Sequence, residues 1–285
     1  MGKLSNYEAV TLNSFVKKGF HVKLWTYENS FVLNSKLNSN VELQDASAIL
    51  EKKMIKLFTQ NSQKSNLSSF TNLFRYKLLS QHEGWWFDTD CVCLKNVEHF
   101  ESLAKNAPFV LGREPSELVN GSVMFFNDTN HIKNLIKIVE EKLNKKDVNF
   151  YWGEIGPYLL TDYFSKSKYE KYILTKNLFY EISAKDFHLL FSTNKKSVNI
   201  LEKRLESSFV CHFWNEMFRR HNINKDKIPP IGSIFYKFFE DDLNLDLDKK
   251  KYSTLVNIRF KKPYNYFFKA ISRVKIILKN LKTDI

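Results

Sequence analysis

Apolar residues Ala9, Leu12, Phe15 and Val16 recur three and four apart, which predicts a helix near the start of the chain. Ser5 and Glu8 make an S-x-x-E capping box before it, and Gly19 follows Lys17 and Lys18 as a stop. Residues 20–27 then alternate, with Val22 and Leu24 on one face, and predict a strand. A helix and strand this early imply an α/β sheet whose first strand is very short or missing. Residues 29–44 are rich in Asn and Ser and are expected to form a loop over a binding site. Residues 46–58 predict a helix, and 59–69 a polar connection. The clearest pattern follows: Phe70, Leu73, Phe74 and Leu78 form the apolar stripe of a helix over 70–81, with Asn72, Arg75, Tyr76 and Leu79 on a neighbouring face. Gly84 ends it, and Trp85, Trp86 and Phe87 enter a sheet.

Downstream, strands are predicted at 108–112 and 121–127, bracketing the loop REPSELVN. A helix over 130–145 buries Ile132, Leu135, Ile136, Val139 and Leu143. The segment YWGEIGP at 151–157 reads as a loop before a short helix, 176–182 and 209–214 as strands, and Pro229 and Pro230 as the start of a helix through residue 239. The acidic run 240–248 reads as solvated. The tail differs from all of this. Between residues 261 and 282 there is no acidic side chain, while Phe267, Ile271, Val274, Leu278 and Leu281 share one helical face and Lys269, Arg273, Lys275, Lys279 and Lys282 occupy the rest. Such a helix suits an anionic membrane surface, or packs on its own domain with its lysines outward. The expected organisation is one domain over 1–250 and a basic amphipathic tail over 251–285.

Composition narrows the class. With 285 residues and 43% hydrophobic content, the chain can bury a full α/β core. The 15% aromatic fraction supplies flat surfaces for packing or for stacking on sugars and bases. A formal charge of +13 calls for an anionic partner. Charge-driven nucleic-acid binding is disfavoured, because the positive charge concentrates in the tail and a buried acid pair would repel phosphate without a metal. Cys91, Cys93 and Cys211 cannot all pair, so structural thiols in a reducing compartment are expected, with no signal peptide and no membrane span.

The candidate chemistry is Asp88-Thr89-Asp90. Two carboxylates one residue apart at the end of an aromatic strand can place one acid on a divalent cation and the other on the same ligand. A second triplet, Asp246-Leu247-Asp248, has no strand before it and reads as surface. The segment FDTDCVC also satisfies the D-x-D-x-V pattern of a haloacid dehalogenase-type phosphatase, in which Asp88 would be the nucleophile and Asp90 the general acid, but no later metal-binding G-D-x-x-x-D segment follows.

Arg75, Tyr76 and Gly84 precede the acids at set offsets. The runs Thr71-Asn72-Leu73-Phe74-Arg75-Tyr76-Lys77-Leu78-Leu79 and Glu83-Gly84-Trp85-Trp86-Phe87-Asp88-Thr89-Asp90 resemble the DXD sugar-binding region of glycosyltransferase family 32, which includes capsule and lipopolysaccharide transferases. The opening LSNYEAVTLNSFVKKGFHVKLWTYE, the segment IGP at 155–157, HFWNEMFRR from His212 and PPIGSIF from Pro229 resemble the family in the same order.

The resemblance implies a GT-A fold: a Rossmann-like mixed sheet flanked by helices. It also implies a nucleotide-diphosphate sugar donor, with UDP-sugar expected, Mn²⁺ or Mg²⁺ as cofactor, and retention at the anomeric carbon. By the same resemblance Asp90 binds the metal, Asp88 the ribose or donor sugar, and Arg75 the sugar or diphosphate. Asn72, Tyr76, Asn120, Ser122, Gly156 and Trp214 are further donor-side candidates, His212 is a candidate third metal ligand or diphosphate contact, and Gly156 and Pro157 shape the acceptor side. Asn72 stands where the family has Asp, and Glu83 replaces its first glycine. No base is assigned; Glu154, Asp162 and Glu216 are the available carboxylates. The expected acceptor is a glycan or glycolipid in surface polysaccharide synthesis, at the cytoplasmic face of the membrane.

Overall fold

The computed structural model of the chain describes residues 4–27, 36–59, 67–144, 150–165 and 167–243. The tail from 251 and the second acidic triplet lie outside these. The capping box forms as the sequence predicts: the Ser5 side chain accepts from the Glu8 amide and Glu8 reaches back to the Ser5 amide, which starts helix α1, Asn6–Lys17. Strand β1, Val22–Thr26, follows and pairs in parallel with β2, Val41–Asp45. The end of the polar stretch 29–44 is therefore a strand, since Val41 is buried and the β1 edge supplies its hydrogen bonds. The helix predicted over 46–58 is broken. Asp45 caps a single 3₁₀ turn, Glu51 is extended, and only α2, Ile55–Thr59, is α-helical.

Helix α3, Leu67–Gln81, carries the predicted stripe, and Gly84, at φ 123°, turns the chain into β3, Trp85–Phe87. Strand β4, Cys91–Cys93, comes after the acid pair, then α4, Val97–Ala104, β5, Phe109–Arg113, and β6, Val119–Phe126. Helix α5, Thr129–Leu143, packs against α3, and α6, Pro157–Phe164, against β6. The chain continues through β7, Ile173–Leu174, α7, Lys176–Phe179, α8, Lys195–Leu205, β8, Val210–His212, α9, Asn215–Arg220, and α10, Ile234–Leu243.

Two predicted boundaries are corrected. Residues 176–182 are not a strand: β7 already takes the β5 edge, and α7 then lays Phe179 and Tyr180 over Gly112, where a Cβ would meet both rings at 2.7 Å. The prolines do not start the last helix either; Gly232, at φ 86°, interposes a left-handed turn and Ser233 Oγ accepts the Tyr236 amide at 3.1 Å.

Among the described residues the strands form β1-β2, the mixed sheet β3-β6-β5-β7, and the antiparallel pair β4-β8. This is a mixed α/β architecture flanked by helices, in keeping with the GT-A type. One core lies between α3, α5, α6 and the mixed sheet; another joins α1, α8, α9 and α10, where Tyr7 meets Phe218, Phe235 and Phe239 edge-on at 4.5–5.3 Å. Residues 88–90 join β3 to β4, and the flanking Phe87 and Cys91 belong to a third core with Phe15, Phe100 and Val123. No helix among the described residues is long and apolar enough to cross a membrane.

Candidate functional site

The acid pair sits in a turn held from several sides. The Asp88 amide donates to the Ser122 carbonyl at 2.8 Å, which ties the turn to β6. The Phe213 amide donates to the Asp90 carbonyl at 2.8 Å, which ties it to the residue after β8. From α1, Thr11 Oγ1 lies 2.7 Å from the Thr89 carbonyl oxygen, and Ser14 Oγ accepts the Cys93 amide at 2.8 Å.

The two carboxylates have different partners. Arg75 donates from Nη2 to Asp88 Oδ2 at 2.6 Å and from Nη1 to Asn72 Oδ1 at 2.6 Å, so its planar fork links α3 to the turn. Trp86 Nε1 donates to Asp88 Oδ1 at 2.7 Å, and the Arg75 guanidinium lies 5.5 Å from the Trp86 ring centre. Burial pushes the Asp88 carboxyl up, with Arg75 opposing and Asp90 adding to the rise. Asp90 accepts the Asn215 amide on Oδ2 at 2.7 Å and places Oδ1 3.4 Å from His212 Nε2. Burial works against its ionisation too, but the His212 charge, the bond to it and the Asn215 amide hold the carboxyl down at about 2. Burial disfavours the charged imidazole of His212, and the Asp90 carboxylate reverses this and raises its pKa.

A divalent cation fits Asp90 and His212. They offer a carboxylate oxygen and an imidazole nitrogen side by side, Asp90 Oδ1 and His212 Nε2 at 3.4 Å. Ligating atoms of Asp90, Cys91 and His212 all lie within 4.8 Å of one another. The Cys91 thiol is fully buried, bonded to Ser122 and pushed well up, first by burial and then by both aspartates. Asp88 has both oxygens engaged already.

One cleft of about 1910 Å³ takes in Asn72, Arg75, Asp88, Asp90, Asn120, Ser122 and, from later in the chain, His212 and Trp214. That exceeds the roughly 300–1,000 Å³ of a common small-ligand pocket and leaves room for two substrates. Residues 131–238 match the family model described as the alpha 1,4-glycosyltransferase conserved region. No curated protein is a significant match to the chain. The matched region supports glycosyl transfer as the general activity, and it contributes His212, Trp214 and Asn215 to the cleft, while the acid pair lies before it. The two segments meet at the contacts of Asp90 with His212 and Asn215.

Not every residue singled out in the sequence reaches the cleft. Tyr76 is 1% exposed and donates its hydroxyl to the Ile155 carbonyl at 3.0 Å; it braces the turn before α6 and is closed to a donor. Gly156 acts through Asn72, since a Cβ there would come within 2.3 Å of Asn72 Nδ2. Ser122 is buried, its hydroxyl 3.0 Å from that of Tyr180, and Asn120 Oδ1 accepts the Ser122 amide at 2.8 Å. Trp214 takes a left-handed backbone at φ 59°, anchors its indole on the Ile182 carbonyl at 2.7 Å and sets its ring edge-on to His212 at 4.3 Å. Such a non-glycine conformation costs on the order of 1–3 kcal/mol.

The spare carboxylates are mostly engaged: Glu154 by Lys142 at 2.6 Å, and Glu216 by Arg219 and Arg220. Glu114 is a cleft acid absent from the sequence reading, placed there by the turn between β5 and β6. Trp86 enters the sequence reading only as part of the aromatic strand; the signal that pairs it with Asp88 is that alternate strand positions share a face. The Asn215 amide and Tyr180 carry no sequence signal, since a backbone donor and a ring under a glycine appear only when distant strands meet.

Proposed function

We propose that the chain is a divalent-metal-dependent glycosyltransferase that moves a sugar from a nucleotide-diphosphate donor, a UDP-sugar foremost, to a glycan or glycolipid acceptor, with retention at the anomeric carbon. The observation that carries this reading is the meeting of Asp90, from the acid pair, with His212 and Asn215 of the glycosyltransferase region in one cleft. Bound there, Mn²⁺ or Mg²⁺ would neutralise charge on the departing nucleoside diphosphate. Asp90 and His212 are its ligands. Arg75 and the Trp86 indole hold Asp88 in a set orientation, with its carboxylate presented to ribose or sugar hydroxyls, and Asn72 fixes Arg75 in turn. Trp214, anchored on Ile182, holds the His212 ring.

The phosphatase alternative requires Asp88 to attack phosphorus. Both its oxygens already accept short hydrogen bonds, one from a guanidinium, which lowers their nucleophilicity. Surface polysaccharide synthesis at the cytoplasmic face of a membrane is the proposed setting, supported by the basic, apolar composition of 261–282.

A panel of UDP- and GDP-sugars, assayed with Mn²⁺ or Mg²⁺ and with EDTA controls, tests the reading. The expected result is nucleotide release with at least one donor, abolished by EDTA. Turnover of simple phosphomonoesters with no nucleotide-sugar consumption would replace it with the phosphatase.

A further inference from the structure

Tyr151 and Trp152 are 62% and 55% exposed, and they are the two aromatics among the large exposed apolar side chains of the described residues. They stand next to each other. Adjacent aromatic surface left in water marks a place where something else covers it.

The turn that displays them is firmly built. Gly153, at φ 83°, lets the chain double back: the amides of Gly156 and Tyr158 both donate to its carbonyl, at 3.1 and 3.0 Å. A Cβ at Gly153 would meet the Tyr158 ring at 2.9 Å, so only glycine lets that ring pack beneath the turn. Glu154, held by Lys142 at 2.6 Å, accepts the Tyr151 amide at 3.3 Å. The Tyr158 ring centre then lies 6.1 Å from those of Tyr151 and Trp152, which makes a three-ring corner. Trp152 and Gly153 border the same cleft as Asp88, Asp90 and His212. Glu114, in the turn that follows β5, lines the same cleft.

Aromatic faces in a cleft that also holds a carboxylate match the chemistry of a sugar ring, whose C–H face is apolar and whose hydroxyls donate hydrogen bonds. A lipid chain would bring hydrocarbon against the Glu114 carboxylate and offer it no donor. The donor's diphosphate belongs at Asp90 and His212, so the aromatic corner at Trp152 is left for the other substrate. We propose that Tyr151, Trp152 and Tyr158, with Glu114, form the subsite for a sugar ring of a glycan acceptor. This inference rests on the glycosyltransferase reading for the word acceptor, but the subsite is testable by binding alone.

The test is calorimetric titration of the full chain, with UDP and Mn²⁺ present, by the methyl glycosides of glucose, galactose, mannose and N-acetylglucosamine and their β-linked disaccharides. At least one glycan is expected to bind, and Trp152→Ala, Tyr151→Ala and Glu114→Gln each to weaken it about tenfold or more, equivalent to about 1.4 kcal/mol. Trp152→Phe should retain most of the affinity, and Ile200→Ala, at an exposed position on α8, all of it. UDP affinity should be the same in the Tyr151 and Trp152 variants as in the parent. Equal glycan affinity in parent and alanine variants, no binding by any glycan, or binding that follows an alkyl aglycone rather than the sugar would each overturn the proposal. Failure of the glycosyltransferase reading looks different: glycan binding intact and lost in Trp152→Ala, with no nucleotide-sugar consumed.

Discussion

Asp90 and Asp88 share a turn and one chemical type, yet their surroundings separate them. Asp88 is spoken for by Arg75 and Trp86, while Asp90 faces the His212 imidazole. On this arrangement Mn²⁺ should raise the melting temperature of the metal-free protein in a concentration-dependent way, because it binds only the folded state. Asp90→Asn should remove that shift and cut metal-dependent turnover at least about 100-fold, since even residues that only orient metal ligands are commonly worth 10–100-fold. An unchanged Mn²⁺ shift in Asp90→Asn would take the metal away from this corner. A second residue-scale prediction concerns Gly156. Gly156→Ala drives a methyl into Asn72 and should destabilise the fold by about 1–3 kcal/mol in urea titration, the common cost of overpacking. Shortening the obstacle with Asn72→Ala should recover much of that loss, a coupling that a double-mutant cycle reads directly.

At the scale of elements, α1 is the support of the acid turn. It packs on β4 and α10, and its Thr11 and Ser14 reach the backbone at Thr89 and Cys93. Thr11→Val keeps the shape and removes one hydrogen bond, shared between the Glu8 and Thr89 carbonyls, so a loss of about 1 kcal/mol in stability is expected. Faster amide exchange at residues 88–90 should accompany it; exchange unchanged there would mean that β6 and β8 hold the turn without α1. Helices were the most legible elements in the sequence. The stripes of α3 and α5 and the capping box of α1 are local patterns, and the structure keeps each to within a few residues. Strands were less so. Val41–Asp45 looked like loop because only one of its side chains is buried, and Lys176–Phe179 looked like strand because its outcome depends on the room left by Gly112.

Across the whole molecule, the cleft draws its walls from residues as far apart as Thr11 and Arg220. The proposed division into a transferase domain over 1–250 and a tail over 251–285 makes a separate prediction. Truncation after Tyr252 removes the whole of the acid-free basic stretch and should sharply reduce binding to anionic vesicles, measured by co-sedimentation, while nucleotide-sugar turnover by the truncated chain persists. Vesicle binding equal to that of the full chain would assign the tail elsewhere.

Sequence alone determined the acid pair, the helix that brings Arg75 to it, and the glycine that turns that helix into its strand. These depend on neighbours within about 20 residues, where periodicity and turn chemistry act directly. Tertiary structure decided the rest of the site. It turned Tyr76 into the core, spent Gly156 on Asn72, set the Asn215 amide on Asp90, and brought Glu114 and the Tyr151–Trp152 turn to the same cleft. Each of these relations links residues with no pattern in common along the chain, and becomes visible only when burial and strand pairing fix which distant backbones lie side by side.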